Sequence, residues 1–308
     1  MRVAVVDIGT NSTRLLVADA DGERGTVQEL VRRSEVTRLG AGVDASGALS
    51  EEACERVFAR LGEYRRAIDE HRCEANMAVL TSAVRDASNG ADFAARVRAD
   101  FGLDARVLSG DEEAQLTFLG AMSGRAASGE ATVVIDIGGG STEFVIGVER
   151  TARFHVSLPV GVVRMSERHI HTDPPAPVEL QALAADVRST LVAGLPTDRR
   201  EEVSAGVAVA GTATSAAAID QELDPYDPDR VHGYVLELAT VELLLARLAE
   251  MGEEDRRRVV GLDPDRAPTI VAGMILLSEA MGAMGLEKVE VSEHDILYGG
   301  ALRLAGVG

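Results

Sequence analysis

Apolar runs of strand length alternate with short polar or glycine-containing turns near residue 1, and the same alternation returns near residue 131. Such runs are typical of buried strands, and their close spacing indicates strands joined as hairpins. Each half of the chain is therefore predicted to begin with a meander of three strands. The predicted strands are 1–7, 13–19 and 26–33 in the first half, and 131–137, 142–148 and 152–158 in the second.

After each meander, segments with helical spacing of apolar residues alternate with further short apolar runs. Three meandering strands followed by alternating helices and strands, found twice, predict an α/β fold with mixed sheets flanked by helices. The predicted helices are 51–71, 88–101, one opening at 109, 160–170, 177–195, 211–223, 238–251, 253–260, 266–284 and 294–304, and the predicted strands are 75–81, 105–108, 207–210 and 288–291.

A glycine turn joins two of the predicted strands in the second half. Glycine permits backbone angles that other residues avoid and lets a ligand approach the main chain closely. The exposed amides of such a turn suit a phosphate, and the flanking carboxylates are ligands that Mg²⁺ prefers beside a phosphate. A single turn of this kind is also compatible with an ordinary hairpin. The stretch reads Asp136-Ile137-Gly138-Gly139-Gly140-Ser141-Thr142-Glu143.

A second copy of this arrangement lies near the start of the chain, in Asp7-Ile8-Gly9-Thr10-Asn11-Ser12-Thr13. When residues 5–17 are laid over residues 134–146 without a gap, Val, Asp, Ile, Gly, Ser and Thr coincide. This repeat predicts two similar domains, each offering one loop to a common cleft. The predicted domains are residues 1–121 and 122–293, and the glycine-rich segment 122–129 is the expected link.

Composition limits the class of protein. The chain has 308 residues, 46% of them hydrophobic, which suits two globular domains. It shows no bilayer-spanning run and no secretory signal, and Cys54 and Cys73 lack a metal or disulfide pattern, so we expect a cytoplasmic protein.

The net charge of −19 argues against nucleic acid polymers and membranes as partners. It does not exclude a polyphosphate substrate, because salt limits the reach of exposed charge to about 8–10 Å.

Two neighbouring glutamates open the helix predicted at residue 109. Ser109 and Glu112 have the spacing of a capping box, which explains Glu112 without catalysis. Glu113 is left over, and its carboxylate could accept a proton from water that attacks a bound phosphate. The alternative is a solvated glutamate in the first turn of the helix.

Two other stretches could bind phosphate. Arg85 follows an apolar strand whose end is expected to face the ligand crevice, although an ion pair with Asp86 is the alternative. Gly211-Thr212 places small residues at a helix N-terminus, where amides bind anions, but ordinary strand-to-helix connections look the same. The six histidines lack zinc-ligand spacing.

Together these stretches resemble the exopolyphosphatase / guanosine pentaphosphate phosphatase family, within the superfamily of actin, the heat-shock chaperone ATPases and the sugar kinases. The resemblance covers nearly the whole chain. It implies two ribonuclease-H-like (actin-like ATPase) domains with an active-site cleft between them. It also implies Mg²⁺-dependent (or Mn²⁺-dependent) removal of terminal phosphate from polyphosphate, or of the 5′ γ-phosphate from guanosine pentaphosphate. It rests on residues 7–12, 81–87, 109–114, 136–143 and 211–212, in the family's order.

The resemblance also implies roles for single residues. Glu113 takes the place of the catalytic glutamate, and Arg85 that of the phosphate-binding arginine beside it. Asp136 and Glu143 correspond to the metal-site carboxylates, with Asp7 as a further candidate. The candidate phosphate ligands are Gly9, Thr10, Asn11, Ser12, Arg85, Gly138, Gly139, Gly140, Ser141, Thr142, Gly211 and Thr212.

Relatives suggest further expectations about assembly and substrate. The last helix often returns to the first domain in this superfamily, so residues 294–308 are candidates for that domain, and a homodimer is a candidate assembly. Ala210 stands where the family often has glycine, and its methyl group is expected to restrict what binds near Gly211, including a nucleotide. Long relatives carry a further C-terminal helical domain, so this chain is expected to favour short polyphosphates. A superfamily kinase and a non-catalytic sensor of polyphosphate or the alarmone are the alternatives.

Overall fold

The computed structural model describes residues 1–125, 129–149 and 151–307. The predicted link at 122–129 includes residues 126–128, and the predicted return segment 294–308 includes Gly308, so these parts of the two predictions lie outside the described residues. In the described part of the chain, no helix has both the length and the apolar character needed to cross a membrane.

The chain divides into two compact units. The first comprises Met1–Ala126 and His294–Gly308, and the second comprises Ala127–Glu293. The boundary predicted at residue 121 coincides with the end of a helix, and the first unit continues past it. The chain therefore leaves the first unit once and returns to it for its last helix.

Each unit is built on one mixed sheet that begins with the predicted meander. The strands of the first unit are β1 (Arg2–Ile8), β2 (Ser12–Asp21), β3 (Thr26–Val36), β4 (Ala75–Leu80) and β5 (Ala105–Val107). Those of the second are β6 (Ala131–Ile137), β7 (Thr142–Val148), β8 (Thr151–Leu158), β9 (Ala205–Val209), β10 (Val235–Glu237) and β11 (Lys288–Val291).

Five strands of each sheet share one topology, and the second sheet has one further antiparallel strand, β10, at its edge. The order is β3-β2-β1-β4-β5 in the first and β8-β7-β6-β9-β11-β10 in the second. The meander is antiparallel in both, and its first strand pairs in parallel with the strand that follows the first helices, β4 or β9. This is a ribonuclease-H-like arrangement, so the predicted fold class, α/β units with mixed sheets flanked by helices, is confirmed.

Helices flank both sheets. Those of the first unit are α1 (Val43–Ser46), α2 (Glu51–Glu70), α3 (Ser82–Asp86), α4 (Gly90–Phe101), α5 (Gly110–Ala121) and α14 (Ile296–Leu304). Those of the second are α6 (Val162–His169), α7 (Pro177–Gly194), α8 (Thr197–Glu201), α9 (Ala210–Asp220), α10 (Pro228–Val231), α11 (Leu238–Ala249), α12 (Glu253–Arg256) and α13 (Ile270–Ala283), with a 3₁₀ turn at Pro264–Arg266.

The helix predictions differ from the structure at ends and in short elements. The helix predicted at 253–260 ends at Arg256, and the one predicted at 266–284 begins at Ile270. Segments of four or five residues, such as α1 and α8, are too short to show helical spacing of apolar residues.

The alternation of side chains along β1 explains why the first unit needs helices on both faces of its sheet. Val6 and Ile8 pack into a core formed with α2 and α4. Val3 and Val5 point to the opposite face and pack against residues of α14. Since β1 is apolar on both faces, the return of the last helix covers a surface that would otherwise be exposed to water.

Helices α5 and α14 approach each other closely because glycine lies at the contact. A Cβ on Gly299 would lie 1.8 Å from the carbonyl oxygen of Leu116, and one on Gly120 would lie 1.8 Å from that of Asp295. Backbone atoms at this distance cannot rotate away as a side chain could. The contact holds the helix that carries Glu113 against the segment that returns from the second unit.

Replacing Gly299 by Ala is therefore expected to destabilise the first unit by about 2 kcal/mol or more, because α5 and α14 must separate. Gly62, in the middle of α2, is a matched control with no atom within 4 Å of its added Cβ. Gly62→Ala should stabilise by roughly 0.5–1 kcal/mol, since alanine favours the helix. Urea unfolding followed by circular dichroism measures both, and equal shifts of the midpoint would contradict the packing argument.

In the second unit, α13 lies in the middle of the helical layer. It contacts α7, α11 and α9, and its buried residues lie on all sides of the helix. A helix that is apolar all round must be enclosed by protein, which explains why its sequence shows little separation of polar and apolar faces.

Candidate active site

The two repeated turns have the same backbone geometry. In the turn from β1 to β2, the Gly9 N–H donates to the Ser12 carbonyl at 3.0 Å, and in the turn from β6 to β7, the Gly138 N–H donates to the Ser141 carbonyl at 3.0 Å. Neither glycine has φ in the left-handed region. The small size of glycine matters here instead, because an added Cβ would lie 3.2 Å from the Ser12 carbonyl oxygen at Gly9 and 3.1 Å from the Ser141 carbonyl oxygen at Gly138.

The second turn is held from behind by the start of α6. The Val162 N–H donates to the Gly138 carbonyl at 2.9 Å, and the Val163 N–H donates to the Gly139 carbonyl at 2.8 Å. A Cβ on Gly161 would lie 2.5 Å from backbone atoms of Gly139 and Gly140, so only glycine fits where the helix meets the turn.

The first turn is held by the segment that follows β3. The Gly40 N–H donates to the Thr10 carbonyl at 2.8 Å, and the Arg38 N–H donates to the Asn11 carbonyl at 2.8 Å. The Thr10 hydroxyl shares a hydrogen bond of 2.9 Å with the Ser82 hydroxyl, at the start of α3. Thr10 therefore contributes its hydroxyl to the support of the turn, as Thr142 does by donating to the Val160 carbonyl in the second unit.

These supports decide which way the turn amides point. In a trans peptide the N–H points opposite to the C=O of the preceding residue. Because the carbonyls of Thr10 and Gly139 bind the segment behind each turn, the amides of Asn11 and Gly140 point away from it. These two residues coincide in the overlay of the repeats, so each unit presents a matching amide on the outer side of its turn, the kind of donor that binds phosphate.

The two turns differ in the residue that lies opposite their aspartate. Asp136 on β6 is paired in register with Glu143 on β7, whereas Asp7 on β1 is paired in register with Arg14 on β2. Arg14 donates from Nε at 2.9 Å and from Nη2 at 2.6 Å to Oδ2 of Asp7. An arginine thus stands opposite the aspartate of the first turn, and a second carboxylate stands opposite the aspartate of the second turn.

The carboxylate pair of the second unit fits a divalent cation. Residues directly opposite on antiparallel strands lie on one face, with Cβ atoms about 4.5–5.5 Å apart, and like charges there are unfavourable without a cation. Asp136 is 8% exposed and Glu143 is 1% exposed, and the Ser157 hydroxyl donates to Oε1 of Glu143 at 2.7 Å. No cluster of three or more His, Cys, Asp or Glu side chains suited to a metal occurs in the described residues. Mg²⁺ typically binds one or two carboxylates and completes its coordination with water and phosphate oxygens.

Arg85 and Glu113 meet in the first unit. Arg85 lies at the end of α3 and donates from Nη1 to Oε2 of Glu113 at 3.0 Å and to the Leu108 carbonyl at 3.1 Å. Glu113 is 8% exposed, so it is not the solvated glutamate of the alternative interpretation. Arg85 also lies 3.8 Å from Asp86, a longer ion pair than the one with Glu113.

Glu112 forms the predicted capping box. Its Oε2 accepts the Ser109 backbone N–H at 2.8 Å, and the Ser109 hydroxyl accepts the Glu112 backbone N–H at 3.2 Å. Hydrogen bonds from the backbone and hydroxyl of Ser109 lower the pKa of Glu112 below its ordinary value. Glu112 is exposed and committed to the helix terminus, which leaves Glu113 as the buried member of the pair.

The third candidate stretch, Gly211-Thr212, lies in the first turn of α9, which follows β9 directly. Thr212 is buried, and a Cβ on Gly211 would lie 1.7 Å from Nη1 of Arg266. The guanidinium of Arg266 therefore lies directly against the main chain at the start of α9. Ala210 has a φ of 63°, in the left-handed region that favours glycine.

A model of the Ppx/GppA phosphatase family matches residues 15–303. The chain belongs to the Ppx/GppA phosphatase family. It is 37% identical over 317 residues to Exopolyphosphatase 2 from Mycobacterium tuberculosis, with 99% of each protein covered. Among solved structures, it resembles the Ppx/GppA family member from Aquifex aeolicus, with 31% identity, a TM-score of 0.82 and coverage of 99% and 97% of the two chains. It also resembles an exopolyphosphatase from Cytophaga hutchinsonii, with 26% identity, a TM-score of 0.88 and coverage of 100% and 99%. The family inferred from five motifs is confirmed.

For this Ppx/GppA chain, the motifs alone missed three charged residues near the candidate site. They are Arg14, which binds Asp7; Arg164, whose Nε donates to the Gly140 carbonyl at 2.8 Å; and Arg266, which lies against Gly211. Of these three, Arg14 alone could have been noticed in the sequence, because the overlay of the two repeats aligns this arginine with the carboxylate Glu143.

The left-handed backbone at Ala210 leads to a stability prediction. An L-residue in this region is strained by roughly 1–2 kcal/mol. Glycine removes this strain, but it also makes the unfolded chain more flexible, which offsets part of the gain in stability. Ala210→Gly is expected to stabilise the second unit by roughly 0.5–1 kcal/mol, measured by urea unfolding. Ala216→Gly, in the interior of the same helix, should instead destabilise it, and a stabilising Ala216→Gly would contradict the argument.

Proposed function

We propose that this Ppx/GppA family member is an exopolyphosphatase that hydrolyses the terminal phosphoanhydride bond of inorganic polyphosphate. The names of the relatives from Mycobacterium tuberculosis and Cytophaga hutchinsonii support this substrate class. The observation that carries the proposal is the buried Glu113 carboxylate, hydrogen-bonded by Arg85 in a unit that also holds an amide-presenting turn.

Phosphate binding is assigned to the two turns and to Arg85. The amides of Asn11 and Gly140 point away from the segments that support the turns, and the hydroxyls of Ser12 and Ser141 add donors beside them. A phosphate oxygen only accepts hydrogen bonds, so backbone amides and a guanidinium are suitable partners. We assign no phosphate contact to the hydroxyls of Thr10 and Thr142, because each is bonded within its own unit.

Proton transfer is assigned to Glu113. Water attacks the terminal phosphorus atom, the bridging P–O bond breaks, and the shortened polyphosphate leaves with the bond electrons. Glu113 accepts the proton that the water loses, and Arg85 fixes the orientation of the carboxylate by bonding Oε2. General-base assistance of this kind contributes about 10²–10⁴-fold.

Asp136 and Glu143 are the residues that would hold Mg²⁺, and Asp7 offers a further carboxylate oxygen in the first unit. When bound, the ion offsets negative charge on the leaving phosphate. The role of the protein is to keep the two carboxylates on one face of the sheet and to fix Glu143 through Ser157.

A phosphate-release assay tests the proposal. The purified chain is incubated with triphosphate, long polyphosphate or guanosine pentaphosphate, in the presence of Mg²⁺, Mn²⁺ or a chelator. We expect metal-dependent release from polyphosphate that is faster on short chains, with Glu113→Gln as the control for contaminating phosphatases. Release from guanosine pentaphosphate alone would replace the proposed substrate with the alarmone. No release from any of the three would overturn the proposed function.

A further inference from the structure

Asp295 is a buried carboxylate that precedes the last helix, far from the motifs in sequence. It is 1% exposed, and its Oδ1 accepts the backbone N–H of Leu297 at 3.0 Å, which caps α14. Its Oδ2 accepts a hydrogen bond from Nη1 of Arg14 on β2. A helix cap needs only one acceptor atom, so Oδ2 of Asp295 can bind Arg14 without loss of the cap.

Arg14 bridges two buried carboxylates. Its Nη1 binds Asp295, while Nε and Nη2 both bind Oδ2 of Asp7. These three side chains carry a formal charge of −1, and each charge is costly to bury unless it is paired. With two nitrogens on a single oxygen, Arg14 fixes the rotation of the Asp7 carboxylate.

The other oxygen of Asp7 is kept apart from this network. Oδ1 is buried and, among the described residues, has no hydrogen-bond partner. It belongs to a residue 5% exposed, beside the first turn, where a Cβ on Gly9 would lie 3.9 Å from both oxygens. A buried acceptor without a donor costs about 1–3 kcal/mol, so such an atom calls for an explanation.

The chemistry of a carboxylate limits what Oδ1 can receive. An ionised carboxylate oxygen is an acceptor only, and phosphate oxygens are acceptors too. While Asp7 is ionised, the partner of Oδ1 at the first turn is therefore a cation or a donor such as a water molecule. A hydrated divalent cation, such as one that accompanies a polyphosphate, satisfies this requirement.

From these contacts we infer that Asp295 is a positioning residue, which holds Arg14 so that Asp7 keeps Oδ1 directed to a hydrated divalent cation. This inference rests on the proposed metal-dependent function. Without the charge of Asp295, Arg14 is released toward Asp7 and engages both of its oxygens. The cation then loses its acceptor although Asp7 itself is unchanged.

Asp295→Asn tests the inference, because asparagine retains the size of the side chain and caps helices well. Mn²⁺ binding without substrate is measured by electron paramagnetic resonance, and thermal unfolding is recorded in parallel. We expect Mn²⁺ affinity to fall about 10-fold or more, as for other residues that support metal ligands. Asp263→Asn is the control: Asp263 caps the 3₁₀ turn by accepting the Asp265 N–H at 2.9 Å, and its replacement should leave Mn²⁺ affinity unchanged.

The double variant Arg14→Gln/Asp295→Asn separates positioning from a structural role. Removing both charges leaves Asp7 without an arginine that could occupy Oδ1, so Mn²⁺ affinity should recover relative to Asp295→Asn. A general loss of structure would instead lower affinity further in the double variant, and this result would overturn the inference.

Two other outcomes are also decisive. Unchanged Mn²⁺ affinity in Asp295→Asn, or no Mn²⁺ binding by the unaltered chain, would overturn the inference. Absence of phosphate release with normal Mn²⁺ binding would overturn only the proposed function.

Discussion

Glu113→Gln is expected to lower kcat on polyphosphate by about 10²–10⁴-fold, because the amide cannot accept the proton that the attacking water loses. The substitution preserves the shape of the side chain and an oxygen for the 3.0 Å hydrogen bond from Arg85. Thermal stability should change little, since glutamine keeps an acceptor oxygen for Arg85 and the Arg85 side chain is 26% exposed to water. The measurement is kcat and KM for phosphate release, with the unfolding temperature of each variant.

Glu112→Gln is the matched control, since it makes the same chemical change at the adjacent position. Glutamine at this position can still complete a capping box, so the helix should lose only the favourable charge at its N-terminus, about 0.3–1 kcal/mol. We expect kcat to stay within about threefold of the unaltered chain, below the smallest effect expected of a general base. Equal losses in the two variants would remove Glu113 from its role, and a larger loss in Glu112→Gln would reverse the assignment.

The pairing of the meander strands was predictable because turn length sets the register of a hairpin. Both turns join antiparallel neighbours, and the gapless overlay of residues 5–17 on 134–146 matches two hairpins of identical geometry. The same overlay aligns Arg14 with Glu143 and Asp7 with Asp136, and the hairpin register places Arg14 opposite Asp7 and Glu143 opposite Asp136. The charge difference between the two turns was therefore present in the sequence, although its consequence for metal binding becomes visible only with the register known.

Contacts between distant segments could not be predicted. The family resemblance predicts that residues 294–308 return to the first domain, but nothing in the residues around Asp295 and Arg14 indicates that these two side chains meet. Arg266 likewise reaches Gly211 only because α9 and the 3₁₀ turn pack in the same unit. Periodicity describes which face of an element is buried, but it does not state which partner buries it.

Glu143→Gln is expected to abolish the stabilisation of the protein by Mg²⁺. A cation held by Asp136 and Glu143, as proposed, would bind the folded state only, so adding Mg²⁺ to the unaltered chain should raise the unfolding temperature. Without Mg²⁺ the variant should be at least as stable as the unaltered chain, because two like charges no longer face each other on adjacent strands. Thermal unfolding with and without Mg²⁺ measures both effects.

Ser157→Ala provides the control that keeps the charge. It removes the 2.7 Å hydrogen bond to Oε1 of Glu143 but leaves both carboxylates in register, so Mg²⁺ should still stabilise the protein, with affinity reduced by about 10-fold. Phosphate release should follow the same order, with the greater loss in Glu143→Gln. If Glu143→Gln retained the full Mg²⁺-dependent shift, the carboxylate pair would not be the metal site. The two turns would then differ in charge for another reason, such as Glu143 binding a cationic side chain as Asp7 binds Arg14.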